Sequence, residues 1–240
     1  MKSTDGARAA KTAAGERAAQ AVSDGDTVGL GTGSTAAAAI RALGDRVADG
    51  LSVTAVATSH QSRALAREVG VPLTALSDTA RLDVAIDGAD EVALPDGGEP
   101  LVTAPPLVKG GGAAHAREKV VAAAADRYLV VVDDTKLSPT LSHPVPVELL
   151  PAAEATATRR LRESGADPTL RAAERKDGPV VTDNGNVVVD CAFGEVTAPA
   201  ERAAEIAAIP GVVEHGLFPG VADSVVVGRP DGDATVRPVK

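Results

Sequence analysis

Residues 27–35 read Thr27-Val28-Gly29-Leu30-Gly31-Thr32-Gly33-Ser34-Thr35, and the alanine-rich run from Ala36 to Val47 follows without a break. A short apolar strand, a glycine-rich turn and a helix in immediate succession form the opening unit of a layered α/β fold. The amides and hydroxyls of Thr32, Gly33, Ser34 and Thr35 then sit at a helix N-terminus, where a phosphate binds well. A tight turn capped by Ser or Thr is the alternative reading. A dinucleotide fits poorly, because Ser34 stands where G-x-G-x-x-G needs its last glycine. The next strand, Ser52 to Ala57, ends in Thr58-Ser59-His60 with no acid to hold a ribose. There is no G-x-x-x-x-G-K-[ST] motif either, so a small phosphorylated ligand remains.

The alternation continues on both sides. A helix is expected from Thr4 to Val22, ended by Ser23-Asp24-Gly25, then a helix from Gln61 to Val69 and a short strand from Val71 to Leu76. The strand Leu82 to Ile86 runs into Asp87-Gly88-Ala89-Asp90-Glu91. Carboxylates at the carboxyl end of a buried strand are costly unless exposed, paired or functional, and that end is where open parallel sheets bind ligands. An acidic surface turn is the competing reading. Residues 92–108 carry Pro95, Gly97, Gly98, Pro100, Pro105 and Pro106 and read as a loop or short hairpin.

Lys109-Gly110-Gly111-Gly112 follows, opening into a helix expected from Ala113 to Ala125 that places Glu118 on its second turn. A bare loop at a helix N-terminus, with a lysine beside it, suits an anion or a developing oxyanion. An ordinary loop before a solvated face of Arg117, Glu118 and Lys119 is the alternative. The strand Tyr128 to Val132 ends in Asp133-Asp134-Thr135-Lys136, so polar residues again collect at a strand's carboxyl end.

Beyond Lys136 the pattern changes. A strand from Val145 to Leu149, a helix from Ala153 to Ser164, a strand from Thr169 to Ala173, a hairpin of Val180–Thr182 and Val187–Asp190, and a helix from Pro199 to Ala208 make a ferredoxin-like unit. The strands Val212 to Leu217 and Ser224 to Val227 are expected to return to the first domain. The predicted architecture is a Rossmann-like, mainly parallel sheet flanked by helices, over residues 1–138 and 212–240. A smaller α+β domain, residues 139–211, is inserted in it.

The chain has 240 residues with 44% hydrophobic content and 1% aromatic, so small aliphatic side chains must build the core. Few rings also disfavour base stacking, and a formal charge of -9 opposes nucleic acid and anionic membrane surfaces. The acidic excess, with arginine preferred to lysine, is compatible with a salt-adapted or GC-rich source. Cys191, the single cysteine, excludes an intramolecular disulfide and reads as a core residue. No apolar run reaches membrane-spanning length and Met1 to Gly25 lacks an apolar block, so a cytoplasmic location is expected.

Taken jointly, Gly31-Thr32-Gly33-Ser34-Thr35, Asp87-Gly88-Ala89-Asp90-Glu91, Lys109-Gly110-Gly111-Gly112-Ala113-Ala114 and Arg117-Glu118-Lys119 resemble ribose-5-phosphate isomerase of the A type. Val181-Thr182-Asp183-Asn184-Gly185-Asn186, Ile209-Pro210-Gly211-Val212-Val213 and Gly216-Leu217-Phe218 match too, in order along nearly the whole chain. The resemblance implies interconversion of ribose 5-phosphate and ribulose 5-phosphate in the non-oxidative pentose phosphate pathway, with no metal and no organic cofactor, by a homodimer or homotetramer.

Carried over by position, Glu118 is similar to the proton acceptor. Thr32 to Thr35, Asp87 to Asp90 and Lys109 to Gly112 resemble substrate loops, Lys136 a binding lysine and Lys11 a phosphate-contacting lysine. The stretch from Glu91 to Lys109 is longer than the bacterial pattern, and Lys136 stands in a more acidic setting. Aldose–ketose isomerisation needs a base for a carbon-bound proton, a cation or N–H for the enediolate oxygen, and a group to open the ring. Glu118, Lys109 with the glycine amides, and Asp87 or Asp90 fill those roles. The rivals are a sugar-phosphate sensor, which needs a DNA-binding segment that the residues before Gly25 are too few to form, and another sugar-phosphate enzyme such as a deaminase, lactonase or CoA transferase.

Overall fold

The structure, a computed structural model, describes residues 4–94, 101–175 and 177–240. In chain order it builds α1 (Thr4–Ala19), β1 (Thr27–Leu30), α2 (Ser34–Ala48), β2 (Thr54–Ala57), α3 (His60–Glu68), β3 (Val84–Gly88), β4 (Glu91–Ala93) and β5 (Leu107–Val108). Then come α4 (His115–Ala124), β6 (Tyr128–Asp133), β7 (Leu137–Ser138), β8 (Val145–Leu149), α5 (Glu154–Glu163), β9 (Asp167–Leu170) and β10 (Val187–Ala192). The chain closes with α6 (Pro199–Ala207), β11 (Val212–His215), β12 (Leu217–Phe218), β13 (Ser224–Gly228) and β14 (Ala234–Pro238).

The main sheet runs β14-β13-β6-β3-β1-β2 and is parallel except for β14, which pairs antiparallel with β13. Side chains alternate across it. Val28, Leu30, Val84, Ile86 and Val131 face one way, against Ala14 and Ala18 of α1 and Ala39, Ile40 and Leu43 of α2. Ala85, Val130 and Val132 face the other way, against Val121 and Ala122 of α4 and against Val92, Leu107 and Phe218. Both faces are covered, which is why these strands read as continuous apolar runs.

β8, α5, β9, β10, α6 and β11 form the second unit, an antiparallel sheet of order β11-β8-β10-β9 around its own apolar cluster. That is the ferredoxin-like arrangement, and it corrects one expectation. The strand expected from Val212 to Leu217 is divided at Gly216: β11 is the fourth strand of the small sheet, and β12 pairs with β5. The expected hairpin at Asn184-Gly185 shrinks to a single bridge between Val181 and Val187, since β10 already pairs with β8 on one side and β9 on the other. The strand expected at Val71 to Leu76 is likewise only a bridge from Leu73 to Ala55.

A third sheet, β12-β5-β4-β7, joins the two units. Its centre is the antiparallel pair β4–β5, with Glu91 opposite Val108 and Val92 opposite Leu107. The Asp90 N–H also donates to the Val108 carbonyl at 2.8 Å. The expected hairpin is therefore present at its base, while Pro95, Gly97, Gly98 and Pro100 lie outside the described residues.

Candidate functional site

Strand order reverses between β1 and β3, and at the carboxyl ends of β1, β3 and β6 a cavity of about 250 Å³ opens. Lys11 of α1, Thr32 to Thr35, Gly88 to Asp90, Lys109 to Gly112, Glu118 and Lys136 line it. Every side chain singled out in the sequence is thus brought to one place, save that Asp87 lies one layer deeper, 1% exposed and behind Lys109. Of the two aspartates at this strand end, Asp90 lines the cavity and Asp87 does not. A strand end turns successive side chains to opposite sides, and Asp87 still belongs to β3.

The deep end of the site is a buried charge cluster. The Lys109 ammonium is 3.0 Å from Asp87 Oδ2 and 3.3 Å from Glu118 Oε2, and it donates to the Gly88 carbonyl. The Phe218 ring lies 5.5 Å from the same ammonium. Asp87 accepts from the Gly88 N–H at 2.8 Å, the Thr32 N–H at 3.2 Å and the Tyr128 hydroxyl at 3.2 Å. Burial pushes the carboxyls of Asp87 and Glu118 upward, and Lys109 opposes both shifts. Glu118 has fewer donors around it than Asp87 and is pushed up to about 8, by burial first and by the Asp87 charge second.

This has a thermodynamic consequence. Glu118 binds its proton more tightly folded than unfolded, so its contribution to stability is complete below its ordinary value of 4.5 and is lost as pH rises through about 8. Folding free energy is expected to decline between those limits, and Glu118→Gln to flatten that part of the curve. Denaturant unfolding at half-unit pH steps measures both, and equal slopes in the two proteins would refute the shift.

Asp87 also explains Gly31. A Cβ at Gly31 would stand 1.9 Å from Asp87 Oδ1. Gly31→Ala is expected to cost roughly 1–3 kcal/mol through overpacking and to displace the carboxylate that holds Lys109. A denaturant midpoint indistinguishable from wild type would contradict the fit.

At the other loop, Gly33 occupies the N-cap of α2 with φ 110 and provides no capping side chain. The alternative of a Ser- or Thr-capped turn is therefore not what the chain builds. The first amides of α2 remain open to an anion, with Lys11, Ser34 and Thr35 on the same cavity. The Thr32 hydroxyl is committed elsewhere, to Thr58 at 2.9 Å and Ser59 at 2.7 Å, which braces the loop.

The glycine loop is equally fixed. Gly110 adopts φ 104 and Ala113 φ 56. Ala113 is left-handed, so the helix cannot begin there; it begins at His115, and Glu118 falls in its first turn rather than its second. The Gly111 N–H donates to Asp90 Oδ2 at 2.7 Å. Around α4, the Arg117 guanidinium donates to Asn184 Oδ1 at 2.8 Å and to the Asp183 carbonyl at 2.9 Å, and Lys119 donates to Glu214 at 2.7 Å. Glu118 thus stands between two cations, each tied to the ferredoxin-like unit. Among the described residues no group of three His, Cys, Asp or Glu side chains is placed to hold a metal ion.

Several partners escaped the sequence reading. In sequence Tyr128 marks only the start of a strand; as the single tyrosine at the head of a buried strand, its hydroxyl needs an internal acceptor. Phe218 appeared only within Gly216-Leu217-Phe218, with no sign of the ammonium beside it. Thr58 and Ser59 stand where a ribose-binding acid is lacking, and their hydroxyls hold Thr32.

Comparison with known proteins bears on this geometry. The family model for ribose 5-phosphate isomerase A (phosphoriboisomerase A) matches residues 54–232. Ribose-5-phosphate isomerase A of Natronomonas pharaonis is 61% identical over 232 residues, covering 97% of this chain and 98% of its own length. The solved ribose 5-phosphate isomerase A of Methanocaldococcus jannaschii superposes with TM-score 0.86 at 39% identity, over 95% of this chain and 97% of that one. A D-ribose-5-phosphate isomerase solved in complex with phospho-erythronic acid gives TM-score 0.86 at 37% identity with the same coverage.

Proposed function

The chain belongs to the ribose 5-phosphate isomerase A family, and we propose that it interconverts D-ribose 5-phosphate and D-ribulose 5-phosphate through an enediolate. The observation that carries the residue roles is the buried Asp87–Lys109–Glu118 cluster, set on a cavity that also offers Lys11, Lys136 and the open N-terminus of α2. The phosphate goes to the latter groups, which supply charge and free amides. That leaves the first two sugar carbons for the cluster. Glu118 as carboxylate takes the proton from C2 and returns it to C1, while Lys109 and the glycine-loop amides hold the oxygen that becomes negative.

Asp90, with one oxygen engaged by Gly111, takes the proton of the anomeric hydroxyl as the bond from C1 to the ring oxygen breaks, and Lys109 gives a proton to that oxygen and regains one by way of Asp90. Asp87 acts behind Lys109, fixing the ammonium and its charge state. The same reading includes catalysis without a metal or organic cofactor, and a homodimer or homotetramer in the cytoplasm. It also includes a catalytic domain of residues 1–138 and 212–240 around the insert 139–211. The pairing of β11 favours ending that insert at His215. Among the described residues no helix is long and apolar enough to cross a membrane.

Incubation with ribose 5-phosphate in deuterium oxide is the direct test. Ribulose 5-phosphate should appear with solvent deuterium incorporated at carbon. Binding without turnover would indicate a sensor, and deamination of an amino sugar phosphate or hydrolysis of a sugar-phosphate lactone, each offered in a separate incubation, another enzyme.

A further inference from the structure

The ferredoxin-like unit reaches back to the glycine loop. Arg171, just past β9, donates through Nη1 to the carbonyl oxygens of Gly110 at 2.9 Å and Gly111 at 3.2 Å. The rest of its guanidinium is held by Asp190 of β10, which accepts from Nε at 2.8 Å and also from Nη2. A planar fork already fixed on a carboxylate loses little further freedom when it binds the loop.

A peptide unit is planar and trans, so a carbonyl and the N–H of the following residue point in opposite directions. Holding the Gly110 and Gly111 carbonyls toward the ferredoxin-like unit turns the N–H groups of Gly111 and Gly112 the other way. The first meets Asp90 Oδ2 at 2.7 Å, as this geometry requires. The second belongs to a residue lining the cavity. The Gly110–Gly111 peptide is also held by Asp90 and by the Ala113 N–H, which donates to the Gly110 carbonyl at 2.9 Å, but between Gly111 and Gly112 no side chain of the loop itself opposes rotation of the peptide. A rotated Gly111–Gly112 peptide would offer a carbonyl oxygen to the developing negative charge.

We propose that Arg171, braced by Asp190, is a positioning residue that keeps the Gly112 N–H aimed into the cavity as an oxyanion donor. The role rests on the isomerase reading given above and adds to it a residue outside the cavity.

Arg171→Ala in the full-length chain tests it. Losing one oriented donor should lower kcat roughly 10²-fold, with KM changed by less than about threefold. Affinity for phospho-erythronic acid, measured by calorimetry, should fall with kcat, while affinity for inorganic phosphate stays unchanged. Arg171→Lys keeps the charge without the fork and should recover only part of the rate. If the alanine variant does not fold, Asp190→Asn carries the same comparison, with a smaller loss expected. Wild-type kcat, a loss confined to KM, or equal weakening of both ligands would overturn the role. Should the wild-type chain fail to turn over ribose 5-phosphate, the isomerase reading fails by itself. The Gly112 amide resonance in Arg171→Ala then decides the positioning role, and an unshifted signal refutes it.

Discussion

Glu118→Gln is expected to lower kcat by roughly two to four orders of magnitude, the usual worth of a positioned general base. The amide matches the carboxyl in shape and mimics its protonated form, so the buried cluster keeps its packing and loses only the capacity to take a proton. Substrate affinity should stay within roughly tenfold, as when a group acts in the transition state and not in binding. The wild-type enzyme should show the complementary pH dependence. Because burial and the Asp87 charge push Glu118 up to about 8, kcat/KM should rise with pH as the carboxylate form accumulates and level off near that value. Near-normal turnover by the variant, or a flat profile between pH 6 and 8, would remove Glu118 from its role.

Lys109→Ala should damage binding, rate and folding together. The ammonium is 2% exposed and is shared between Asp87 and Glu118, so its removal leaves two buried carboxyls facing one another. Breaking a buried pair from one side typically costs about 3–5 kcal/mol. Part of that is recovered when one carboxyl takes up a proton. Lys109 is itself pushed upward by Asp87 and then Glu118, against burial, so it stays cationic at neutral pH and above. On the proposed mechanism its loss also removes a full charge from the place where the enediolate forms. Calorimetric binding, steady-state kinetics and denaturant unfolding on one preparation separate the three effects. A folded variant with wild-type kcat/KM and a lower midpoint would make Lys109 purely structural.

Much of the fold was legible because the signals were local. Thr27–Leu30 and Val145–Leu149 have the same bounds in sequence and structure, the first ended by Gly31 and the second lying between Pro144 and Pro151. The failures were places where a distant partner decides. Val71–Leu76 carries strand-like residues but meets only Ala55, and Val212–Leu217 is shared between two sheets that its own residues cannot distinguish. The helix start moved from Ala113 to His115 because of one left-handed alanine, a conformation no residue preference announces.

The candidate site was legible as a set of loop residues, since polar groups gather at strand ends. Its depth was not legible. Nothing in the local sequence separates Asp87 from Asp90, whereas one is buried behind an ammonium and the other lines the cavity. Nor does any local pattern connect Arg171 to a glycine loop some sixty residues away, or Tyr128 to an aspartate some forty residues away, since those contacts exist only in the folded chain.

The β4–β5 pairing has a bearing on engineering. Asp90 and Lys109 are brought together by a ladder of two residue pairs and one further backbone bond directly beside them, whatever the length of chain that joins the strands. Lengthening that connection costs only the slow logarithmic term of loop closure, about 0.6 kcal/mol per doubling. A change in the length of chain that joins Leu94 to Leu101 therefore leaves intact the pairing that sets Asp90 beside Lys109.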